Sequence, residues 1–310
     1  MTTDGRTWHY RHFYAHPDAE PGEPLPLWLV VGNCQAEAVR RVLDSVTDRP
    51  FRTVRMPPVH ELTAADLPHL DRLLDDAEVL LSQPIRADYR ELPLGTAQLA
   101  ARLRPSARLL RWPVIRYAGL YPFQVIVRRP ADRSVTPPVV PYHDLRTIAA
   151  ARAGRSADDP WDVAVTGDQI RAAAEASVAA LAARERRDTD VAVSDVLAAA
   201  GADACHTINH PGNTVLEALA RRILAALDAP AAVTPVDGTL LGSVYAPLER
   251  RVLAAVGSDA PERTAWTMAG ETIDPLAVHR RQLDWYATNS DFIALAAERH
   301  GDTMDLLGLS

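Results

Sequence analysis

Leu27-Trp28-Leu29-Val30-Val31-Gly32-Asn33-Cys34-Gln35 sets five apolar residues in a row against a glycine and a cysteine flanked by two amide side chains. A continuous apolar run of strand length reads as a strand buried on both faces, the pattern of a parallel sheet covered by helices. Gly32 ends the run. From Gln35 onward, Ala36, Val39, Leu43 and Val46 recur at helical spacing with arginines on the other face, which predicts an amphipathic helix. A strand therefore passes straight into a helix at Gly32-Asn33-Cys34.

The same alternation continues outward. A strand is predicted at Phe51 to Met56, then a helix opened by Thr63 with Asp66 three residues on as a capping box, and a strand at Val79 to Ser82. A helix near Thr96 to Leu103 and a strand at Ala107 to Arg111 follow. The fold class expected is α/β, a parallel sheet flanked by helices. Residues 112 to 142 carry prolines at 113, 122, 130, 137, 138 and 141, so an irregular insertion over the sheet is expected there. Beyond it the chain reads as mainly helical, near Asp144 to Ala153, Gly167 to Arg187, Ser194 to Ala200, Thr214 to Leu227 and Leu276 to His300. The stretch 230 to 275 is too mixed to assign. Residues 1 to 24 show no sustained period and read as a loosely ordered arm, leaving residues 25 to 310 as a single domain.

Composition narrows the function. The chain has 310 residues, 47% hydrophobic and 24% charged, with a net charge of −7. Acidic and basic residues are interspersed, which leaves no footprint for nucleic acid or an anionic membrane. No window approaches the about 20 apolar residues needed to span a bilayer, and no secretory signal pattern opens the chain, so a cytoplasmic location is expected. Cys34 and Cys205 are too few for a disulfide framework, and free thiols are expected. All 33 basic residues are arginine. Lysine Schiff-base chemistry and the lysine of a phosphate-binding P-loop are thereby excluded, and an anionic cofactor must be held by arginines, backbone amides and helix N-termini.

Three segments carry chemistry. In a parallel sheet ligands gather at the carboxyl ends of the strands, where Gly32-Asn33-Cys34-Gln35 lies. A thiol at a helix N-terminus has its thiolate favoured by the dipole, and the same amides suit an oxyanion; the alternative is that Cys34 is a small buried residue allowing close packing. Cys205-His206-Thr207-Ile208-Asn209-His210-Pro211-Gly212-Asn213 precedes a helix, and Pro211 and Gly212 keep it in a loop. His210 reads there as a general base or as a hydrogen-bonded structural histidine; His206 and His210 lack a third metal ligand, and no metal is expected. Cys205 reads as core. Ser82-Gln83-Pro84-Ile85-Arg86-Ala87-Asp88-Tyr89-Arg90 again follows a strand, with Gln83 a possible oxyanion donor and Arg86 and Arg90 either phosphate contacts or solvated surface groups.

Taken together, Gly-Asn-Cys-Gln after the first strand, Gln-Pro-Ile with Asp-Tyr-Arg after a later one, Pro113 to Pro122 with Tyr117, Gly119 and Tyr121, and Asn-His-Pro before a helix resemble the WcbI family of polysaccharide-biosynthesis acetyltransferases over roughly residues 27 to 300. The resemblance implies an SGNH-hydrolase-like three-layer architecture that binds coenzyme A and acetylates a sugar hydroxyl. Carried over, Cys34 stands where the Gly-Asp-Ser block has serine, Asn33 where it has aspartate, and His210 at the catalytic histidine. Gln35 and Gln83 join them as catalytic candidates, while Gly32, Arg86, Arg90, Asn209 and Asn213 are the candidate cofactor contacts. SGNH hydrolases place an aspartate three residues before the histidine; here Thr207 stands there, so a full triad is not expected. A Cys-His dyad needs the third member less, because a thiol ionises more readily than a hydroxyl.

The function this implies is acyl transfer from acetyl-CoA to a hydroxyl acceptor, a sugar or glycosylated metabolite. Cys34 either carries the acyl group or leaves the acceptor to attack the thioester directly. An esterase or thioesterase using the same groups with water is the rival within enzymes, and a noncatalytic protein binding coenzyme A or a glycan is the rival outside them.

Overall fold

The computed structural model describes residues 3–16, 24–229 and 232–310. Their contacts gather into two compact units. The first comprises Met1–Ile115, Leu181–Ala199 and Gly212–Leu241, the second Arg116–Ala180, Ala200–Pro211 and Gly242–Ser310.

In chain order the first unit runs α1 (Thr3–His9), β1 (Leu27–Val31), α2 (Cys34–Asp44), β2 (Arg52–Thr53), α3 (Leu67–Asp76), β3 (Ala77–Ser82), α4 (Thr96–Ala100) and β4 (Arg108–Arg111). The four strands form one parallel sheet in the order β2-β1-β3-β4. The α/β reading of the sequence is borne out. All five residues of β1 are buried, as a central strand covered on both faces requires. In contrast β4 is an edge strand, with Leu110 buried and Arg108, Leu109 and Arg111 exposed. Its rim is closed by Asp190, whose carboxylate accepts from the Arg111 amide at 2.7 Å and whose own amide donates to the Arg111 carbonyl. The strand expected over 51–56 pairs only at Arg52 and Thr53. Val54 and Met56 are buried in chain that leaves the ladder ahead of Pro57 and Pro58, which have no amide to contribute.

The buried face of α2 is Ala36, Val39, Val42 and Leu43, and it packs against the helix Asn213–Ala226, whose own stripe is Val215, Leu216, Leu219, Ile223 and Leu224. Thr63 and Asp66 form the predicted capping box, at the short 3-10 turn Ala64–Asp66 that leads into α3. Asp66 does more than cap. Its carboxylate also accepts from Arg6 of α1 at 3.1 Å and from the Tyr14 hydroxyl at 2.8 Å. Phe13 is fully buried among Leu70, Leu73 and Leu74, and Arg72 donates to its carbonyl. Residues 3–16 are therefore tied to the first unit, where the sequence suggested a loose arm, because a burying aromatic and an ion pair do not need helical periodicity to hold a segment. The remainder of that arm, 17–23, lies outside the described residues.

The second unit holds helices Leu145–Arg152, Arg250–Ala255, Pro275–Tyr286 and Asp291–Leu306, and a three-stranded antiparallel sheet of Val244–Tyr245, Trp266–Met268 and Glu271–Ile273 in the stretch left unassigned. Its core joins Phe123, Leu145, Ile148, Tyr286, Phe292 and Met304. The single helix expected over 276–300 is two. Thr288 and Asn289 turn their side chains onto the Trp285 carbonyl and compete with the helical ladder there. Within 112–142 the described strand pairing is that of Gln124–Val125 with His143–Asp144.

The Asp66 hub generates a stability prediction. Burial alone would raise its pKa, but Arg6, the Thr63 amide, Tyr14 and the Thr63 hydroxyl outweigh burial and hold it below the ordinary carboxylate value. A depressed carboxylate pKa contributes stability that is present at neutral pH and disappears as pH falls through the folded-state value. Arg6 is 31% exposed, so part of that ion pair is screened. Asp66→Ala should cost about 1–3 kcal/mol in urea unfolding at pH 7. The difference from wild type should shrink as the pH is lowered below the carboxylate range.

Candidate active site

At the end of β1 the chain turns over Gly32 with almost no room to spare. A Cβ there would stand 2.6 Å from Oε1 of Gln83, which projects from the end of neighbouring β3. Only glycine leaves space for this amide. Gln83 Oε1 accepts from the Asn33 amide at 2.9 Å, and its Nε2 donates to Gln35 Oε1 at 3.2 Å and to the Pro113 carbonyl at 3.5 Å. Gln35, fully buried, is bonded in turn to both backbone groups of Ile115, donating to its carbonyl at 2.8 Å and accepting from its amide at 3.0 Å. Asn33 caps α2 by accepting the Gln35 amide on Oδ1 at 2.9 Å.

This network corrects two expectations. Gln83 does not present an amide to an oxyanion, since both its donors and its carbonyl are used inside the protein, and Gln35 likewise serves the backbone of 115. Nor are all the turn amides available to a ligand: that of Asn33 goes to Gln83 and that of Gln35 to Asn33. Among the described residues the side-chain Nδ2 of Asn33 is left over, its orientation set because Oδ1 is the helix cap, while the Cys34 amide turns to the thiol of its own residue.

Cys34 is the first residue of α2 and is partly exposed. Burial raises its pKa, and the amides of Cys34 and Gln35 pull the other way without offsetting it. The helix N-terminus therefore does not make a resting thiolate, as the sequence suggested, because desolvation of a charged sulfur outweighs two partial charges. Cys205 is fully buried and its pKa is strongly raised, in keeping with a core thiol.

His210 sits in the second unit. The predicted loop is in fact a tight hairpin in which Cys205–Thr207 pairs antiparallel with His210–Pro211 across Ile208 and Asn209. The Pro113–Pro122 block supports it: the Tyr117 amide donates to the Ile208 carbonyl and the Tyr121 hydroxyl to the Cys205 carbonyl, each at 2.8 Å. Gly119 is required beside it, since a Cβ there would lie 2.2 Å from the Tyr117 hydroxyl. Among the described residues no hydrogen-bond partner reaches His210 Nδ1, which is buried. Thr207, at the position of the missing aspartate, turns its hydroxyl to Tyr142 and Asn209. Burial, and secondarily the neighbouring His206, pull the pKa of His210 down to about 4, so the imidazole is neutral at physiological pH.

The candidate cofactor contacts divide. Arg86 and Arg90 are exposed, with no ion pair among the described residues. Asn209 Oδ1 accepts from Tyr142 at 2.9 Å and Asn213 spans the 238–240 loop, donating to the Gly238 carbonyl and accepting from the Leu240 amide. Asn213 thus acts as a loop clamp, with both ends of its amide occupied. Sequence reading passed over Arg116 and Arg128 of the second unit. Desolvation lowers the pKa of both, although Arg116 lies exposed, and Arg116 lowers that of Arg128 further, with no carboxylate paired to either among the described residues. Single arginines in an irregular, proline-rich stretch give no sequence signal for such a pair. Among the described residues no three His, Cys, Asp or Glu side chains are grouped to hold a metal ion, and no helix is long and apolar enough to cross a membrane.

A parallel sheet with packed helices makes this an α/β protein. The model of the polysaccharide biosynthesis enzyme WcbI matches residues 27–232, well over half of the chain, and the protein belongs to that family. A solved structure of WcbI, described as a novel polysaccharide biosynthesis enzyme and as native protein without a disulfide bond between coenzyme A and a cysteine, resembles this chain with a TM-score of 0.74. The two are 18% identical, and the likeness covers 92% of this chain and 99% of that one. Among curated proteins none matches this sequence.

The state of the two thiols is testable. Alkylation by iodoacetamide, followed by intact mass across a pH series, should modify Cys34 with a midpoint above that of free cysteine measured alongside. Cys205 should stay unmodified until the protein is unfolded. A Cys34 midpoint below that of the free amino acid would show that the helix terminus, not burial, governs the thiol.

Proposed function

We propose that the protein transfers an acyl group, most simply acetyl, from coenzyme A to a hydroxyl of a sugar or glycosylated metabolite. The observation that carries this reading is the strand–helix turn of a WcbI-family chain, where Gly32 and Gln83 hold Cys34 and Asn33 at the start of α2. The WcbI structure, whose description names coenzyme A and a cysteine, supports coenzyme A as the donor.

In this reading the acceptor oxygen bonds to the thioester carbonyl carbon, the carbon–sulfur bond breaks, and the hydroxyl proton passes to His210 and on to the departing coenzyme A thiolate. The developing oxyanion is met by Asn33 Nδ2, the donor at the turn left over among the described residues, with the Cys34 amide beside it. A raised Cys34 pKa favours direct attack by the acceptor over an acyl-cysteine intermediate, because an uncharged thiol is a poor nucleophile. Arg86 and Arg90, exposed and without ion pairs among the described residues, are the proposed contacts for the coenzyme's phosphates.

The decisive experiment follows acetyl-CoA consumption against a panel of hydroxylated acceptors, with calorimetry for coenzyme A binding. His210→Ala should lower turnover about 100-fold or more. Asn33→Asp keeps a good helix cap but removes the Nδ2 donor, and it should lower kcat about 100-fold with the melting temperature retained. Cys34→Ala should keep substantial activity and coenzyme binding under direct transfer. Because the His210 base is neutral above about pH 4, turnover should lose this group's contribution only as pH falls through that value. Near-normal turnover in the His210 variant would end the catalytic reading of the hairpin.

A further inference from the structure

The second unit contains a cavity of about 460 Å³, inside the about 300–1,000 Å³ range of small-molecule pockets. Three of its wall residues are nearly fully buried and each carries a polar atom without a partner among the described residues: Oε1 of Gln124, Oε1 of Gln282 and Nε2 of His279. Leaving such atoms unsatisfied is costly, and they cluster where a ligand supplies the missing bonds. Two of the three are anchored at their other ends. Gln282 Nε2 donates to the Tyr142 carbonyl at 2.9 Å, and His279 Nδ1 lies 2.8 Å from the Thr147 hydroxyl with the ring stacked on Trp161. The Gln282 amide and the imidazole cannot turn away to pair elsewhere without breaking those bonds.

The charges around the cavity cancel. Arg146 is held by Asp144, Asp162 and Glu249, Arg251 by Asp162 and Glu249, and Arg250 lies near Glu262. The remaining lining arginine, Arg263, donates to the Ala246 carbonyl. With the lining arginines, Arg263 included, matched in number by the lining carboxylates Asp144, Asp162, Glu249 and Glu262, the cavity has no excess positive charge for the phosphates of coenzyme A. Between these groups the walls are rings, including Phe123, Tyr142, Trp161 and Trp266. Two amide acceptors, an imidazole that either donates or accepts, aromatic walls and no net charge match a neutral ring bearing several hydroxyls, since a hydroxyl both donates and accepts.

We infer that this cavity is a binding site for a neutral polyhydroxylated ligand, a glycosyl unit, read by Gln124, Gln282 and His279. Tyr142 and Tyr121 line it, and their hydroxyls hold the hairpin that carries His210, through Thr207 and Asn209 in one case and the Cys205 carbonyl in the other. Its role as the seat of the acyl acceptor rests on the acyl-transfer reading above; its occupancy by such a ligand does not.

The test measures binding to the full chain by saturation-transfer NMR and calorimetry, using methyl glycosides of neutral hexoses, with glucuronic acid and coenzyme A as anionic probes. Neutral glycosides should bind, glucuronic acid should bind more weakly, and coenzyme A should not displace them. His279→Phe, which keeps a ring against Trp161, and Gln124→Leu should each weaken glycoside binding about tenfold while leaving coenzyme A binding and the melting temperature near wild type. The inference is overturned if no neutral glycoside binds, if glucuronic acid binds more tightly than the neutral sugars, or if both stable variants bind as wild type. Glycoside binding without consumption of acetyl-CoA would sink the acyl-transfer reading and leave this site standing. Acetyl-CoA turnover with no glycoside binding would do the opposite.

Discussion

The side-chain amide of Gln83 is the constraint on which the site in the first unit depends. It leaves the end of one central strand, fills the space that glycine leaves at the end of the next, and fixes the turn backbone through the Asn33 amide. Gln35 extends the same network to the backbone of 115, beyond β4. A buried amide bonded on all sides is rigid, and rigidity here is useful: Cys34 and Asn33 are held at the start of α2 without depending on a bound ligand. An alanine at 32 would displace the amide and release the turn.

The price of that rigidity is chemical. Hydrogen-bonding groups spent on holding the turn are not available to stabilise charge, so the site has fewer donors than its sequence suggests. Burial of Cys34 raises its pKa for the same reason that the turn is rigid, since the thiol is surrounded by protein rather than water. His210 is neutral because of burial as well, and no carboxylate meets its Nδ1 among the described residues. Both titratable groups therefore stand uncharged at neutral pH, a state in which proton transfer must accompany the chemistry.

The hairpin of the second unit obeys a different logic. Its position is set by three tyrosines from the proline-rich stretch and its flank, Tyr117 through its backbone and Tyr121 and Tyr142 through hydroxyls. Irregular chain is used here because neither a helix nor a strand would bring a backbone amide and two phenol groups onto one short hairpin. Two of those tyrosines also wall the polar cavity, so the hairpin and the cavity share supports within one unit.

Much of this was legible in residue order. The apolar run of β1, the 3.6-residue repeat of α2 and the Thr63–Asp66 box rest on local physics, in which periodicity and capping are decided by neighbours in the chain, and all three are found as read. The break at Thr288-Asn289-Ser290 was missed because its signal is side-chain competition for one carbonyl, not a proline or glycine. The roles of Gln35, Gln83 and Asn213 were beyond sequence altogether. An amide side chain reads the same whether it faces a ligand or a distant backbone, and the partners that occupy these three are up to 80 residues away. The sequence by itself determined the strand–turn–helix that delivers Cys34, because its elements are held by local periodicity. Only the tertiary structure decided which polar groups around it are spent and which are left over, because hydrogen-bond satisfaction depends on what the fold brings alongside.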